Sequence, residues 1–244
     1  MVTVEFWGRM GNQLFQYAMC RSVAERNGYK FYINKDDWEG HGLFSCELGI
    51  RDGSVHSVFK DSSGQKYDPK VFAVSDFTLF LGFYQTDKYF KRDDVKNWFT
   101  PNITESAKEL IAIYNPLEYA FLNIRGTDYK KIPHFLLPLD YYERAMAYLL
   151  NINPNLKFAV VTDDIELSAT YFPKLPIIHS HPHTDFCLLY SARYLVTAIS
   201  TFAWWAGYLQ DNNTVIAPSG WMNHNLNKEI FSPIDIKTDK FIWI

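Results

Sequence analysis

The segment that decides the fold runs from Arg193 to Gln210 and reads RYLVTAISTFAWWAGYLQ. Its first part is a short apolar run, which predicts a buried strand over 194–199. Ser200 and Thr201 then stand before a predicted helix over 202–210, because Ser and Thr are favoured helix N-caps. Such a helix start presents unpaired backbone N–H groups and a positive dipole end. The segment therefore predicts either a plain N-cap on a core helix or a phosphate-binding turn.

Strand and helix signals alternate along the rest of the chain. The second half predicts strands over 119–124, 157–162, 177–179 and 215–217, and helices over 104–114, 140–150, 165–172 and 185–192. The first half predicts strands over 2–6, 29–33 and 78–83 and a helix over 12–26. Residues 35–76 are polar and rich in glycine, so no regular structure is predicted there. The alternation predicts an α/β fold with parallel sheets, doubly wound in the second half.

The composition is that of a folded globular protein. The chain has 244 residues, of which 48% are hydrophobic and 21% charged, and this balance excludes bulk disorder. That length can form one large or two small domains. A net charge of −3 gives no general attraction to polyanions, so nucleic acid is not an expected partner.

Cysteine usage and the N-terminus indicate an intracellular protein. Cys20, Cys46 and Cys187 are scattered and odd in number, which fits reduced thiols better than a disulfide framework. The N-terminus enters a predicted strand directly, without a charged segment followed by a long apolar run. We therefore expect a cytoplasmic protein with no transmembrane segment.

Polar residues follow three of the predicted strands. Arg125 follows one strand, Asp163 and Asp164 follow the next, and Ser200 and Thr201 follow a third. The carboxyl ends of parallel strands meet at one edge of a sheet, where ligands bind. This set of side chains suits a nucleoside diphosphate. The arginine can pair with phosphate, a carboxylate can accept hydrogen bonds from base or ribose, and a helix that starts with Ser and Thr can hold a phosphate.

Three histidines occupy every second position from residue 179 to residue 183. An extended segment would place His179, His181 and His183 on one side, where they could bind a metal ion. Pro182 lies between them and no fourth ligand is indicated, so a loop lining the nucleotide site is the favoured interpretation. No metal site is predicted.

Four segments resemble the α-1,2-fucosyltransferases, glycosyltransferase family 11. GRMGNQLFQYA at 8–18 is similar to the family's N-terminal signature, and NIRGTDY at 123–129 to its H-x-R-R-G-D-Y motif. TDDIE at 162–166 is similar to S-D-D-x-E, and STFAWW at 200–205 to S-S-F-S-W-W. Weaker matches lie at 82–90 and 185–189. The segments keep the family's order and span nearly the whole chain.

The resemblance implies a GT-B-like fold with two Rossmann-like α/β halves and the nucleotide-sugar site in the C-terminal half. Residues 1–115 would form the acceptor-side domain and residues 116–244 the GDP-sugar domain. The implied activity is an inverting transfer of fucose from GDP-fucose to a saccharide, at O-2 of a galactose-like residue, without a metal or other cofactor. Alternatives are another nucleotide sugar, or a silent nucleotide- or glycan-binding protein. The missing membrane anchor suggests a soluble bacterial or viral enzyme.

The resemblance also assigns roles to residues. Arg125 would stabilise the departing β-phosphate, or else form an ion pair with Asp128 or another nearby carboxylate. Asp128 is the best-placed general base, although it could equally orient Arg125, and Glu5 and Asp87 are lesser candidates for the base. The donor-binding residues would be Asn123, Thr127, Asp163, Asp164, Ser200, Thr201 and Phe202. Arg9, Asn12 and Gln13 would lie on the acceptor or phosphate side, with Asn12 as a plain N-cap in the alternative. Trp204 and Trp205 point to different helix faces, and both are predicted to be packing residues.

Two positions depart from the family motif. Asn123 replaces its histidine and can donate a hydrogen bond but carries no charge. Gly126 replaces its second arginine, so fewer charges would hold the pyrophosphate unless Arg9, Lys130 or Lys131 compensates. These departures leave the identity of the donor sugar open.

Overall fold

The structure is a computed structural model that describes residues 1–61, 66–132, 135–221 and 234–244. The described residues divide into two compact units, one formed by 1–102 and 234–238 and the other by 103–221 and 239–244. The helix that follows residue 104 thus belongs to the second unit, although the predicted domain boundary lies at residue 115. The acceptor and donor roles of the two domains stay a prediction.

The first unit is built on a four-stranded parallel sheet. Its strands are β1 (Val2–Glu5), β2 (Phe31–Tyr32), β3 (Ser57–Lys60) and β4 (Thr78–Leu81), in the order β2-β1-β4-β3. Its helices are α1 (Met10–Asn27) and α2 (Arg92–Trp98). The predicted strands and the first helix are confirmed, with shifts of a few residues at their ends. Helix α2 was not predicted.

Helix α1 forms much of the core of the first unit because it is buried on more than one face. Leu14, Phe15, Ala18 and Met19 are all fully buried. The helix ends at Gly28, which adopts the left-handed conformation with φ of 68° that a glycine tolerates without strain.

The sequence assigns no regular structure to residues 35–76, and the structure places one strand of the sheet in that range. Strand β3 pairs in parallel with β4, with Ser57 opposite Thr78. It is an edge strand whose Val58 is 59% exposed, so its sequence has none of the strong apolar run that marks a buried strand. Short 3₁₀ turns at Lys35–Asp37 and Pro69–Ala73 add further regular structure.

The second unit is built on a six-stranded parallel sheet. Its strands are β5 (Tyr119–Ile124), β6 (Lys157–Thr162), β7 (Ile177–Ile178), β8 (Tyr194–Val196), β9 (Thr214–Ala217) and β10 (Ile242–Trp243). Its helices are α3 (Glu105–Ile113), α4 (Leu139–Ile152), α5 (Ile165–Tyr171), α6 (Pro182–Tyr190) and α7 (Thr201–Tyr208). Strands β5 and β6 match their predicted bounds, whereas β8 is three residues shorter than predicted and α6 begins at Pro182 instead of residue 185.

The strand order of this sheet is β7-β6-β5-β8-β9-β10. The chain runs outward from β5 through β6 to β7, then crosses to the other side of β5 to form β8, β9 and β10. The direction of winding therefore reverses between β5 and β8. In doubly wound sheets, this topological switch point opens a crevice at the carboxyl ends of the strands, where ligands bind.

The tryptophan pair of α7 is part of the core. Trp204 and Trp205 are both fully buried, and the Trp204 ring stacks on Tyr208 with centroids 4.4 Å apart. The prediction that both are packing residues is confirmed.

None of the helices in the described part of the chain has the length and hydrophobicity that a transmembrane span needs.

Candidate active site

The carboxyl ends of β5 and β6 bring the predicted residues together around Asp163. Its Oδ1 accepts the backbone N–H of Gly126 at 2.8 Å, and its Oδ2 accepts the Thr127 hydroxyl at 2.8 Å. The Arg125 guanidinium lies 3.1 Å from the same Oδ2. The loop after β5 is thus fastened to the first residue after β6, as the convergence of strand ends predicts.

Arg125 lies between two carboxylates. Besides Asp163, its Nη2 donates to Asp128 Oδ2 at 3.0 Å, and its Cζ lies 5.5 Å from the centroid of the Tyr129 ring. Burial alone would lower the pKa of Arg125, but the hydrogen bond to Asp128 and the charge of Asp163 raise it overall. The ion pair weighed as an alternative role is therefore present. A guanidinium has five N–H donors, so this pairing is compatible with a further contact to phosphate.

The hydrogen bond from Arg125 also affects the ionisation of Asp128. Burial would raise its pKa, but the hydrogen bond and the charge of Arg125 lower the pKa below its ordinary value. A carboxylate with a lowered pKa is a weaker proton acceptor. The contact therefore favours the orienting role of Asp128 over the role of general base.

Tyr129 ties the β5 loop to the end of the β8 loop. Its hydroxyl donates to the carbonyl of Ile199 at 2.7 Å, across the switch point. Burial raises the pKa of Tyr129 to about 12, so the phenol stays protonated and able to donate. Ile199 directly precedes Ser200. The sequence analysis selected no role for Tyr129, although it is the last residue of the NIRGTDY motif.

Ser200 caps helix α7. Its Oγ accepts the backbone N–H of Ala203 at 3.3 Å, and the residue is only 7% exposed. Thr201 is the first helical residue, and the Phe202 ring packs against Phe186 with centroids 5.2 Å apart. The N-cap is confirmed, whereas a donor contact of the partly exposed Phe202 stays a prediction. Phosphate binding at this helix start stays a prediction.

Asn123 lies inside β5 and is 7% exposed. Its Nδ2 donates to the carbonyl of Val161 at 3.3 Å, whereas its Oδ1 has no hydrogen-bond partner within the described part of the chain. The Asn123 side chain thus points toward the neighbouring strand β6. A direct contact between Asn123 and a donor stays a prediction.

Asp164 caps helix α5 and holds a lysine. Its Oδ1 accepts the backbone N–H of Leu167 at 3.0 Å, and its Oδ2 lies 2.6 Å from Lys130 Nζ. Burial opposes ionisation of Asp164, but the hydrogen bond from Lys130 lowers its pKa overall. Asp164 is therefore a carboxylate, 7% exposed, at the floor of the site.

Some of these residues line a cleft of about 340 Å³ in the second unit. Its lining residues are Thr127, Lys130, Asp163, Asp164, Ile165, Glu166 and His179. Small-molecule sites commonly have volumes of a few hundred Å³. Carboxylates here can accept from ribose hydroxyls or from base N–H groups, and Ile165, 53% exposed, offers an apolar surface.

The three alternating histidines do not form an extended segment. His181 is the N-cap of α6 and His183 lies in its first turn, because Pro182 occupies the first helical position, where proline is favoured. His179 does line the cleft, with its Nδ1 2.8 Å from the Thr162 carbonyl. No group of three or more potential metal ligands occurs among the residues that the structure describes. Metal independence stays a prediction.

Gln13 and Arg9 belong to the first unit and join its loops. The Gln13 side chain donates to the Asp37 carbonyl at 3.1 Å and accepts the Glu39 N–H at 2.8 Å, which indicates a structural role. Arg9 is 78% exposed and pairs with Glu39 at 2.9 Å.

Asn12 lies in the first turn of α1, and its Oδ1 accepts from Gln85 Nε2 at 2.8 Å. The N-cap position is taken by Arg9, so the alternative of Asn12 as a plain N-cap is wrong. Substrate contacts of Arg9, Asn12 and Gln13 stay predictions.

Two units with parallel sheets, one carrying a charged cleft at the carboxyl ends of β5, β6 and β7, define a GT-B-like α/β protein. Residues 59–237 match the model for glycosyl transferase family 11. An α-1,2-colitosyltransferase of Escherichia coli is 30% identical to the chain, in an alignment covering 100% of the chain and 99% of that protein. The chain belongs to glycosyl transferase family 11 and is a glycosyltransferase.

Two further similarities agree with this assignment. A galactoside α-(1,2)-fucosyltransferase 1 of Rattus norvegicus is 23% identical over 95% of the chain and 69% of that protein. The crystal structure of POFUT1 in complex with GDP superposes with a TM-score of 0.55 at 12% identity, covering 86% of the chain and 94% of that structure. At that identity, the structural likeness is one of fold.

Proposed function

We propose that this glycosyltransferase moves fucose from GDP-fucose to a hydroxyl of a saccharide, with O-2 of a galactose-like residue as the acceptor atom. The observation that carries the proposal is the pairing of Arg125 with Asp163 at the carboxyl ends of β5 and β6. A hydrogen bond from Tyr129 to Ile199 joins the same loop to the start of α7. Arginine suits the pyrophosphate, Asp163 and Asp164 suit ribose or guanine, and the start of α7 suits a phosphate.

The proposed reaction is a single inverting displacement. The acceptor oxygen forms a bond to the anomeric carbon of fucose on the face opposite the leaving group. The bond from that carbon to the β-phosphate oxygen breaks, and its electron pair remains on GDP. The acceptor's proton passes to a base that this proposal does not name. Arg125 stabilises the negative charge that develops on the departing phosphate.

Asp128 acts in this proposal as a positioning residue. Its hydrogen bond to Arg125 and its lowered pKa support an orienting role. Protein cations at the phosphates make a divalent metal dispensable, because they neutralise the same developing charge. The activity is expected to persist in excess EDTA.

A second candidate donor is GDP-colitose. Its support is the α-1,2-colitosyltransferase that aligns with the whole chain at 30% identity. Colitose is fucose without its 3-hydroxyl group, so both sugars present the same leaving group and anomeric carbon. A site that hydrogen-bonds the 3-hydroxyl would discriminate strongly between the two donors, because its polar groups would be left unpaired by colitose.

The test is a transfer assay with labelled GDP-fucose or GDP-colitose and a panel of β-galactosides, with and without EDTA. Arg125→Ala is the inactive variant, and Arg144→Ala, a change in a surface pair on α4, is the matched control. Label on a galactoside that depends on Arg125 supports the proposal. Thermal stabilisation by GDP without transfer would indicate a binding protein or another sugar. No response to GDP would overturn the nucleotide assignment.

A further inference from the structure

The loop after β5 has no room for a side chain at residue 126. A Cβ at Gly126 would lie 2.6 Å from Asp164 Oδ2 and 2.7 Å from Asp164 Cβ, both closer than non-bonded carbon contacts allow. Asp164 is fixed at that place, because its other oxygen caps α5 and its own N–H donates to Thr162 Oγ1 at 2.9 Å. An arginine at residue 126 would therefore displace the cap of α5.

The oxygen that closes residue 126 is the oxygen that binds Lys130. Lys130 Nζ lies 2.6 Å from Asp164 Oδ2, and its side chain is 44% exposed in the wall of the cleft. The hydrogen bond to Asp164 raises the pKa of Lys130, so the ammonium stays charged. An ammonium has three N–H donors, and the contact with Asp164 uses one of them.

The local charge balance favours a second cation besides Arg125. Arg125 is shared by two carboxylates, Asp128 and Asp163, whereas Lys130 pairs with one, Asp164. A diphosphate carries more than one negative charge, and in a partly buried cleft that charge is costly without a compensating cation. Lys130 is the lysine that lines this cleft.

We infer that Lys130, held in place by Asp164, supplies the second cation for the donor's diphosphate, at a position that compensates for the missing side chain of Gly126. This inference rests on the proposed GDP-sugar donor. It assigns the lysine by its place in the cleft and by its contact with the carboxylate that closes residue 126.

The test compares the binding of GDP and of guanosine by calorimetry in wild-type protein, Lys130→Ala and Lys130→Gln. The glutamine can still donate a hydrogen bond to Asp164 but has no charge, so it separates phosphate binding from support of Asp164. Lys157→Ala is the matched control, because Lys157 forms a comparable pair with Glu118 at the opposite end of β6.

Both Lys130 variants are expected to lose about tenfold to a hundredfold in GDP affinity, with guanosine affinity unchanged. Equal losses for GDP and guanosine, no loss, or an equal loss in Lys157→Ala would each overturn the inference. A wild-type protein that transfers fucose while the Lys130 variants bind GDP normally would refute this inference alone. A wild-type protein that neither binds GDP nor transfers sugar would refute the proposed function.

Discussion

At the scale of single residues, Arg125 is the group on which the proposed chemistry depends most. It meets two carboxylates and still has N–H donors for a phosphate. Arg125→Ala is expected to lower kcat/KM by about a hundredfold to a thousandfold, since it removes a donor that acts on the leaving group. Steady-state kinetics with the Arg144→Ala control measure this effect. Near-wild-type kcat/KM in Arg125→Ala would show that the leaving group is stabilised elsewhere.

We expect Asp185 to make the free energy of unfolding depend on pH. Its Oδ2 accepts the Ser180 N–H at 3.3 Å, whereas its Oδ1 is buried without a hydrogen-bond partner in the described part of the chain. Burial raises its pKa from 3.8 to about 6. Between these two values the folded protein binds a proton that the unfolded chain has released. The unfolding free energy contributed by Asp185 therefore falls as pH rises from about 4 to about 6 and is constant above that range.

Asp185→Asn is expected to remove this dependence. As the pH rises from 4 to 7, the wild type should lose about 2–3 kcal/mol of unfolding free energy relative to the variant. Urea unfolding at several pH values measures it. Asp140→Asn, a change at an exposed residue of α4, should follow the wild-type curve. Parallel curves for Asp185→Asn and wild type would contradict the raised pKa.

At the scale of elements, a hydrogen bond from the Tyr129 hydroxyl to the Ile199 carbonyl joins the loops after β5 and β8. This bond fixes the distance between the arginine loop and the start of α7. Tyr129→Phe keeps the ring beside Arg125 but removes the bond. We expect a stability loss of about 1–3 kcal/mol together with a lower GDP affinity.

Tyr171→Phe separates these two effects. Tyr171 likewise donates its hydroxyl to a backbone carbonyl, that of Leu137 at 3.0 Å, but does so at the C-terminal end of α5. This control should lose stability without losing GDP affinity. If Tyr129→Phe also bound GDP normally, the bond would be purely structural.

At the scale of the whole molecule, each unit has its own parallel sheet and its own buried core. All contacts that we propose for GDP lie in the second unit. GDP at about 100 times its Kd should stabilise the folded protein by about 2.7 kcal/mol. Hydrogen exchange should slow more in β5, β6 and β8 than in β1 to β4. Protection confined to the first unit would contradict the assignment of the donor site.

The sequence by itself determined the alternation of strands and helices, the exact bounds of β5 and β6, and the gathering of Arg125, Asp163 and Ser200 at one sheet edge. These features follow from local signals, because a strand buried on both faces is a continuous apolar run and its polar successor marks the sheet edge. The family also followed from the sequence, since its motifs are contiguous.

Only the tertiary structure decided which polar groups face each other. The weak edge strand β3, the fastening of Tyr129 to Ile199, and the closure of residue 126 by Asp164 all join residues that are distant in sequence. Hydrogen bonds and steric exclusion act over a few ångströms, whereas a sequence pattern records only neighbours along the chain. In the sequence, Gly126 therefore indicates only that an arginine of the motif is missing. In the fold, the absence of a side chain at residue 126 leaves room for Asp164, whose carboxylate binds Lys130.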